Sequence, residues 1–167
     1  MRVEKDFEEL LRLLNKHKAK YCIVGAFAIG FYGYPRYTKD IDIFVEPSLK
    51  NGERIVEALN EFGFSCLNLK PEDFSKKGAI IQLGYEPIRV DLITSIKGCN
   101  FNQAWQHKAR GQYGGQKVYF IGLEELIKNK RMVNRYQDRS DLKLLLEVLG
   151  KSRVLLRTKG HKSKKKR

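Results

Sequence analysis

The chain of 167 residues is long enough for one domain with one hydrophobic core, since 42% of its residues are apolar. Its net charge of +14 is uneven, because residues 150–167 hold nine cations and no acid and leave +5 for residues 1–149. Three isolated cysteines, without a C-x-x-C pair or a histidine at zinc-ligand spacing, exclude the usual zinc sites and predict a cytoplasmic protein. The longest uncharged run, residues 21–35, is too short to span a bilayer, and the charged N-terminus is not expected to be a signal peptide.

Helices and strands alternate in the first part of the chain. Apolar residues at helical spacing predict helices, and short apolar or alternating runs predict strands. The predicted elements are a helix at residues 3–18, a strand at Tyr21–Val24, a helix at Ala26–Phe31, a strand at Asp40–Val45 and a helix at residues 48–62. Gly25 separates the first strand from the helix that follows it, and Gly63 ends the last helix.

The rest of the chain adds a hairpin and further helices. The predicted elements are strands at Ala79–Leu83 and Ile88–Ile93 joined by the turn Gly84-Tyr85-Glu86-Pro87, a helix at Phe101–Ala109, a loop at residues 111–115, a strand at Lys117–Ile121, and one broken helix or two helices across residues 123–149. A hairpin excludes a purely parallel sheet. The order therefore predicts an α/β (α+β) fold, in which helices flank a mixed β-sheet and C-terminal helices follow, within a single domain over residues 1–149.

The basic segment at residues 150–167 has few apolar side chains beyond Val154, Leu155 and Leu156. It cannot bury enough apolar surface to order itself, so we expect a flexible tail or at most an extension of the last helix. Its charge attracts polyanions such as RNA, DNA or an acidic partner. A solvated end that aids solubility accounts for the same composition equally well.

The tetrapeptide Asp40-Ile41-Asp42-Ile43 carries two acids in a predicted strand. Residues i and i+2 of a strand face the same side, so Asp40 and Asp42 point together with Cα atoms roughly 6.5 Å apart, while the isoleucines point into the core. Two carboxylates held side by side repel each other, and a bound Mg²⁺ removes that cost because it prefers carboxylate oxygens. An exposed edge strand with two solvated acids is the structural alternative.

Two other segments can complete such a site. Asp91 is an acid in an otherwise apolar strand, on the same face as Arg89, with which it can also form a purely structural ion pair. At Val24-Gly25-Ala26 a strand turns into a helix, where a small residue lets a ligand approach the backbone and helix amides can meet a phosphate. The turn is not a Walker A loop, because no Gly-Lys-Ser/Thr follows it.

Together these segments resemble the nucleotidyltransferase superfamily typified by DNA polymerase β. That family has a strand ending in Gly-Gly or Gly-Ser, a helix, a D-x-D strand and a later strand with a third acid. The corresponding segments here are Gly25-Ala26, Asp40-Ile41-Asp42 and Asp91, in the same order. The run Pro35-Arg36-Tyr37-Thr38-Lys39-Asp40 and the segment from Ile121 to Asp141 resemble small stand-alone prokaryotic members, so the likeness covers most of residues 1–149.

The resemblance implies a nucleotidyltransferase fold and an enzyme that transfers a nucleoside monophosphate from an NTP to a hydroxyl acceptor by a two-metal mechanism. Mg²⁺ or Mn²⁺ is the implied cofactor, and the implied acceptor is a protein hydroxyl, an RNA end or a small molecule such as an aminoglycoside. The implied catalytic and metal-binding residues are Asp40, Asp42 and Asp91, of which Asp91 helps to deprotonate the acceptor. The implied nucleotide-binding residues are Gly25, Ala26, Arg36 and Thr38.

Lys130 lies between Ile127 and Val133 at three-residue spacing, within an apolar helical stripe. If one helix continues, Asp138 falls on the same stripe eight residues later. A structural interpretation is an ion pair between the two, or a lysine that snorkels to solvent. The functional interpretation makes Lys130 a nucleotide-binding cation that faces the phosphates and is oriented by Asp138.

The D-x-D pattern also occurs in other classes of protein. The haloacid dehalogenase pattern has Thr or Val where Phe44 stands, and the apolar Ile41 and Ile43 exclude an EF-hand, whereas a glycosyltransferase is left open. Ala26 replaces the hydroxyl or second glycine that is common in the family this chain resembles, so one side-chain contact to phosphate is missing. The alternative function is therefore a catalytically degenerate fold that binds nucleic acid or a partner, for instance within a toxin–antitoxin pair.

Overall fold

The computed structural model describes residues 3–35, 37–85 and 88–163, with side chains described through residue 152. The strands are β1 (Tyr21–Ile23), β2 (Asp40–Val45), β3 (Ile80–Tyr85), β4 (Ile88–Ile93), β5 (Ala109–Tyr113) and β6 (Gln116–Phe120). The helices are α1 (Lys5–Lys16), α2 (Gly25–Phe31), α3 (Leu49–Leu59), α4 (Phe101–Gln106), α5 (Leu123–Val133) and α6 (Tyr136–Ser163). Short π- and 3₁₀-helical turns follow α3 at Asn60–Phe64, Ser65–Leu67 and Pro71–Phe74.

The described strands form one sheet in the order β3-β4-β2-β1-β6-β5. β2 lies near its centre, antiparallel to β1 and parallel to β4, while β3–β4 and β5–β6 are antiparallel pairs. β1 and β6 run parallel where they meet. Because both orientations occur in one sheet with helices around it, the predicted mixed sheet flanked by helices is confirmed.

Side chains along strand β2 point alternately to the two faces of the sheet, so its core residues and its acids lie on opposite faces. Its core-facing side chains are fully buried, and they are Ile41, Ile43 and Val45. Asp40 and Asp42 are on the opposite face, where Phe44 packs edge-to-face against Phe101 of α4 with 5.1 Å between ring centroids. Helix α4 therefore covers one end of the acid-bearing face and leaves the end with the two acids open.

The elements predicted up to residue 93 are present, with ends that differ by a few residues. Helix α1 is two residues shorter at each end than the predicted range, and its buried side chains are Phe7, Leu10, Leu11, Leu13 and Leu14. Helix α3 begins after Ser48, whose hydroxyl accepts a hydrogen bond from the Asn51 amide, as an N-cap residue does. Gly63, at φ 111°, lies in the turn beyond this helix.

The prediction for residues 101–121 was wrong in two respects. Helix α4 ends at Gln106, and the residues predicted as the end of that helix and as a loop form β5 instead. The sequence of β5 lacks the alternation typical of a strand, because Gly111 has no side chain at a position where an apolar one would show which face is buried. Phe120 and Phe31 stack with 4.3 Å between their ring centroids, and both rings lie over Gly111. The glycine thus makes room for two aromatic rings at an edge strand.

We expect Gly111→Ala to destabilise the fold by about 1–3 kcal/mol, because a Cβ overpacks this contact. A Cβ at residue 111 would lie 2.7 Å from the Phe120 ring and 2.8 Å from the Phe31 ring. The measurement is the free energy of unfolding in urea. Gly150→Ala is the matched control, since a Cβ there meets nothing within 4 Å and alanine in a helix gains about 1 kcal/mol over glycine. Equal stability of the Gly111→Ala variant and the wild type would contradict this account.

The last part of the chain forms two helices, which the sequence left undecided. Asn134 ends α5 in the left-handed conformation at φ 53°, and α6 then runs from Tyr136 to Ser163. The backbone of α6 thus continues beyond residue 149, while residues 164–167 lie outside the described part of the chain. The domain boundary at residue 149 and the flexible basic tail stay predictions. None of the helices in the described ranges combines the length and the apolar character that a bilayer crossing needs.

Candidate active site

The pairing of β2 with β4 places the three predicted acids side by side. The two strands are parallel, with Asp42 opposite Asp91 and Asp40 opposite Arg89. Side chains of directly opposite residues project from the same face of a sheet. The structure therefore brings Asp40, Asp42 and Asp91 together on one face of the sheet, as predicted, whereas their roles in catalysis and metal binding stay predictions.

Arg89 is the immediate partner of two of these acids. Its Nη2 donates to Asp40 Oδ2 at 2.8 Å and to Asp91 Oδ2 at 3.2 Å. Its Nε lies 3.0 Å from Asp91 Oδ1. Asp91 is only 7% exposed, so the guanidinium supplies the counter-charge that a buried carboxylate requires. The pair with Asp91 was expected from the sequence, whereas the pair with Asp40 was not.

Gly25 permits the third acid, Asp42, to approach the backbone at the start of α2. The Val24 amide donates to the Asp42 carbonyl at 2.9 Å, which holds the turn against β2. Gly25 has φ +64°, and a Cβ there would lie 2.0 Å from Asp42 Oδ2. Both the left-handed backbone and the contact with Asp42 therefore require glycine at this position.

A cleft of about 280 Å³ opens over the acids. Its lining residues are Gly25, Ala26, Tyr37, Thr38, Asp40, Asp42, Lys130, Arg135, Gln137 and Asp138. The Thr38 hydroxyl donates to Asp40 Oδ1 at 2.5 Å, which fixes that carboxylate from the cleft side. Of the predicted nucleotide-binding residues, four line this cleft, and they are Gly25, Ala26, Thr38 and Lys130. The fifth, Arg36, lies outside the described residues.

Lys130 forms a buried ion-pair network in the cleft wall. Its Nζ lies 2.7 Å from Asp138 Oδ1 and 3.0 Å from Asp141 Oδ2, and all three side chains are at most 9% exposed. Burial alone would raise the pKa of Asp138, but hydrogen bonds from Lys130 and from the Arg135 amide hold that pKa below its ordinary value. The predicted pair of Lys130 with Asp138 is present, but it connects two helices, α5 and α6, and does not lie along a single helix.

Three lining residues were missed by the sequence analysis. Tyr37 stands directly before Thr38 in the approach to β2, while Arg135 and Gln137 come from the corner between α5 and α6. The corner residues could be found only by knowing that the helix breaks at Asn134, since a continuous helix would direct them elsewhere. Tyr37 stood inside a motif already quoted, and its aromatic ring is 85% exposed.

The electrostatic environment of Asp42 is unfavourable for its charged form. Its pKa rises from 3.8 to about 6, first because burial removes water from the carboxylate and then because Asp40 and Asp91 repel its charge. Lys130 and Arg89 act in the opposite direction without cancelling the rise. A group that is buried among like charges and lines a cleft is suited to bind a cation.

We expect Asp42→Asn to stabilise the ligand-free protein at neutral pH. The folded-state pKa of about 6 is higher than the unfolded value of 3.8, so ionisation of Asp42 costs stability that grows as pH rises from about 4 through 6. The difference corresponds to about 3 kcal/mol above pH 7 and vanishes near pH 4. The measurement is the free energy of unfolding of variant and wild type from pH 4 to 8 with a metal chelator present. A gain that does not depend on pH would rule out the charge as its cause.

The donor set fits a divalent cation of the hard class. Three carboxylates on adjacent strands supply only oxygen ligands, which Mg²⁺ and Mn²⁺ prefer, and the raised pKa of Asp42 marks an excess of negative charge that a cation would relieve. Within the described ranges, no three acidic, imidazole or thiol side chains are already gathered as metal ligands. Two of the three acids, Asp40 and Asp91, form ion pairs with Arg89.

Comparison with known proteins gives a match over nearly the whole chain. A family described as nucleotidyl transferase of unknown function (DUF2204) matches residues 3–166. No curated protein matches the chain.

Several solved structures are similar in fold. The lincosamide antibiotic adenylyltransferase LnuA, bound to lincomycin, is 16% identical with a TM-score of 0.56, over 87% of this chain and 97% of its own. The antibiotic-resistance factor ANT(2'')-Ia is 16% identical with a TM-score of 0.55, over 96% and 91%. A candidate nucleotidyltransferase (TM1012) from Thermotoga maritima is 17% identical with a TM-score of 0.53, over 87% and 96%. At such identities the likeness concerns the fold alone.

Proposed function

Because the chain belongs to this family of nucleotidyl transferases, we propose that it transfers a nucleoside monophosphate from an NTP to a hydroxyl acceptor. The observation that carries the proposal is the placement of Asp40, Asp42 and Asp91 on one face of adjacent strands. Two of these acids line a cleft whose other walls present backbone at Gly25 and a cation at Lys130. Carboxylates that line a cleft repel an anionic substrate unless a bound cation offsets their charge.

The residues proposed to hold Mg²⁺ or Mn²⁺ are Asp40, Asp42 and Asp91. When bound, such a cation offsets the charge on the phosphates and makes the attacking hydroxyl a better nucleophile. The three carboxylates lie on two paired strands of the sheet, so their backbone positions are set before substrate arrives. This rigidity suits phosphoryl transfer, in which a protein contributes mainly position and charge.

In the proposed reaction the acceptor oxygen forms a bond to the α-phosphorus, the bond from that phosphorus to the bridging oxygen breaks, and pyrophosphate leaves. Lys130 and Arg135 supply positive charge at the cleft wall for the departing phosphates. The absence of a Cβ at Gly25 makes room for the Asp42 carboxylate, and the Gly25 backbone, which lines the cleft, is proposed to contact the phosphates. Asp91 is proposed to help take the acceptor proton, for which Arg89 must first release its carboxylate.

The acceptor proposed for the first test is a hydroxyl of a small molecule. The similar structures include an adenylyltransferase bound to lincomycin and ANT(2'')-Ia in complex with adenylyl-2''-tobramycin. The cleft of about 280 Å³ is small for a macromolecular acceptor but has the size of a small-ligand pocket. ATP is the corresponding first NTP to test.

The test is incubation of the purified protein with each α-labelled NTP, Mg²⁺ and candidate hydroxyl compounds, and separately with a cell extract. We expect label to pass from one NTP to an acceptor with release of pyrophosphate, and to stop when a chelator removes the metal. Labelled products identified by mass spectrometry would name the acceptor. Absence of label on any acceptor, with all four NTPs, would contradict an active transferase.

A catalytically degenerate binding module is the second candidate function. Two observations favour it, namely the ion pairs that occupy Asp40 and Asp91 and the alanine at position 26 in the cleft. Such a module needs no metal, so its partner would be retained by the wild type and by Asp42→Asn alike. Recovery of the same partner by both proteins in a pull-down, together with inactivity in the label assay, would select this second function.

A further inference from the structure

Arg89 occupies the space between two of the acids that are proposed to hold a divalent cation. Its Nη2 is 2.8 Å from Asp40 Oδ2 and 3.2 Å from Asp91 Oδ2, and its Nε is 3.0 Å from Asp91 Oδ1. Nη2 thus donates one charge-assisted hydrogen bond to each of the two acids, while Nε and Asp91 Oδ1 lie at ion-pair distance without forming a hydrogen bond. Three of the four oxygens of these two acids have Arg89 as a partner.

The register of the sheet fixes this arrangement. Arg89 is directly opposite Asp40 across the β2–β4 pair and stands two residues before Asp91 on the same strand. All three side chains therefore share one face of the sheet. The position of the guanidinium between the acids therefore depends on the strand register as well as on the side-chain rotamer.

Arg89 supplies a positive charge that the metal-free site needs. The acids Asp40, Asp42 and Asp91 repel one another, as the environment of Asp42 makes evident. Another nearby cation, Lys130, is paired with Asp138 and Asp141, which share its charge. A guanidinium bound to two carboxylates nevertheless competes with a divalent cation, both for the same oxygens and through charge repulsion.

We infer that Arg89 is a resident counter-cation, which holds Asp40 and Asp91 in the metal-free protein and must release them before a divalent cation binds. The inference rests on the proposed function, since it takes these acids to be the metal ligands. The Arg89 side chain is 30% exposed, so its guanidinium can turn towards solvent without opening the core. Arg89 is thus a positioning residue that sets the affinity for metal and is not a ligand of it.

The first test measures Mn²⁺ affinity of the full chain without nucleotide, from the electron paramagnetic resonance signal of free Mn²⁺. We expect Arg89→Gln to lower the dissociation constant roughly tenfold or more, because a repelling charge and two competing bonds are removed. Arg89→Lys keeps the charge and should stay close to the wild type. Arg12→Gln is the control, since Arg12 also pairs with a carboxylate, Glu9 on α1, away from the site, and it should leave the dissociation constant unchanged.

The second test is measured on the wild type and does not depend on whether Arg89→Gln folds, since Arg89→Lys serves only to assign one resonance. The Nε–H resonance of Arg89, assigned with Arg89→Lys, should shift and exchange faster with water when Mg²⁺ is added, while that of Arg12 stays in place. Unchanged or weaker Mn²⁺ binding by Arg89→Gln, or an Arg89 resonance that ignores bound Mg²⁺, would overturn the inference while leaving the metal site intact. Failure of every variant to bind Mn²⁺ would instead overturn the metal site of the proposed function, and the inference with it.

Discussion

Replacing Asp42 with asparagine is expected to abolish nucleotidyl transfer while leaving the protein folded. Asp42 lines the cleft, and the charges of Asp40 and Asp91 repel its own. The substitution therefore removes one negative charge from the proposed metal site. We expect transfer to fall roughly 1,000-fold, about 4 kcal/mol of transition-state stabilisation. The measurement is the rate of label transfer from the NTP at saturating Mg²⁺.

The interpretation of this result depends on stability measured in parallel. The same substitution is expected to stabilise the ligand-free protein at neutral pH, so a loss of activity cannot be assigned to unfolding. NTP and Mg²⁺ should raise the melting temperature of the wild type and not that of the variant, because only a ligand that binds the folded state stabilises it. Asp6→Asn, in the first turn of α1, is the control and should keep full activity. Full activity of Asp42→Asn would remove this residue from the site.

Replacing Lys130 with methionine is expected to cost about 3–5 kcal/mol of stability, because it leaves buried carboxylates without their cation. Lys130 Nζ donates to Asp138 Oδ1 and lies at ion-pair distance from Asp141 Oδ2, and none of the three side chains is more than 9% exposed. The ion pairs join α5 to α6, so we expect the contact between these helices to loosen first. The measurement is the free energy of unfolding in urea at pH 7.

Lys128→Met is the matched control on the same helix. Lys128 is 50% exposed and lies 3.4 Å from Glu125, so its ion pair is screened by solvent and its loss should cost no more than about 1 kcal/mol. Adding Asp138→Asn and Asp141→Asn to Lys130→Met should restore part of the loss, since two buried negative charges are then removed together with the cation. A small effect of Lys130→Met at pH 7 would mean that water enters the cleft wall and solvates the two acids.

The strands of the acid site could be predicted from sequence because they follow from alternation alone. Asp40 and Asp42 share a face by parity, and the apolar residues between them had to face the core. The mixed sheet is confirmed for the same reason, since strand periods and the hairpin are local properties. The nucleotidyltransferase fold is also confirmed, but it was expected from the resemblance of three segments to that family. Strand β5 was missed because Gly111 has no side chain to mark its buried face, and the two aromatic rings that lie over Gly111 come from elsewhere in the chain.

The ion pairs among the site residues could be predicted from the sequence only in part. The pairing of Arg89 with Asp91 is visible two residues apart on one strand, but its pairing with Asp40 depends on the parallel register of β2 and β4. The network of Lys130 was predicted in part, because Asp138 lies at helical spacing from it. Asp141 and Arg135 were not foreseen, since the turn at Asn134 redirects the start of α6 towards the cleft.

The parallel pairing of β2 with β4 also bears on the kinetics of folding. Arg89 and Asp40 are 49 residues apart in the chain, so the acid site has no local precursor. A nascent β3–β4 hairpin holds one acid and an isolated β2 holds two, and neither can bring the three together. Contacts of this span form only after the entropy of closing a long loop has been overcome, which makes them slow to form. A ligand that contacts all three acids therefore binds only chains in which β2 and β4 have already paired. Such a ligand slows unfolding and leaves the rate of folding unchanged.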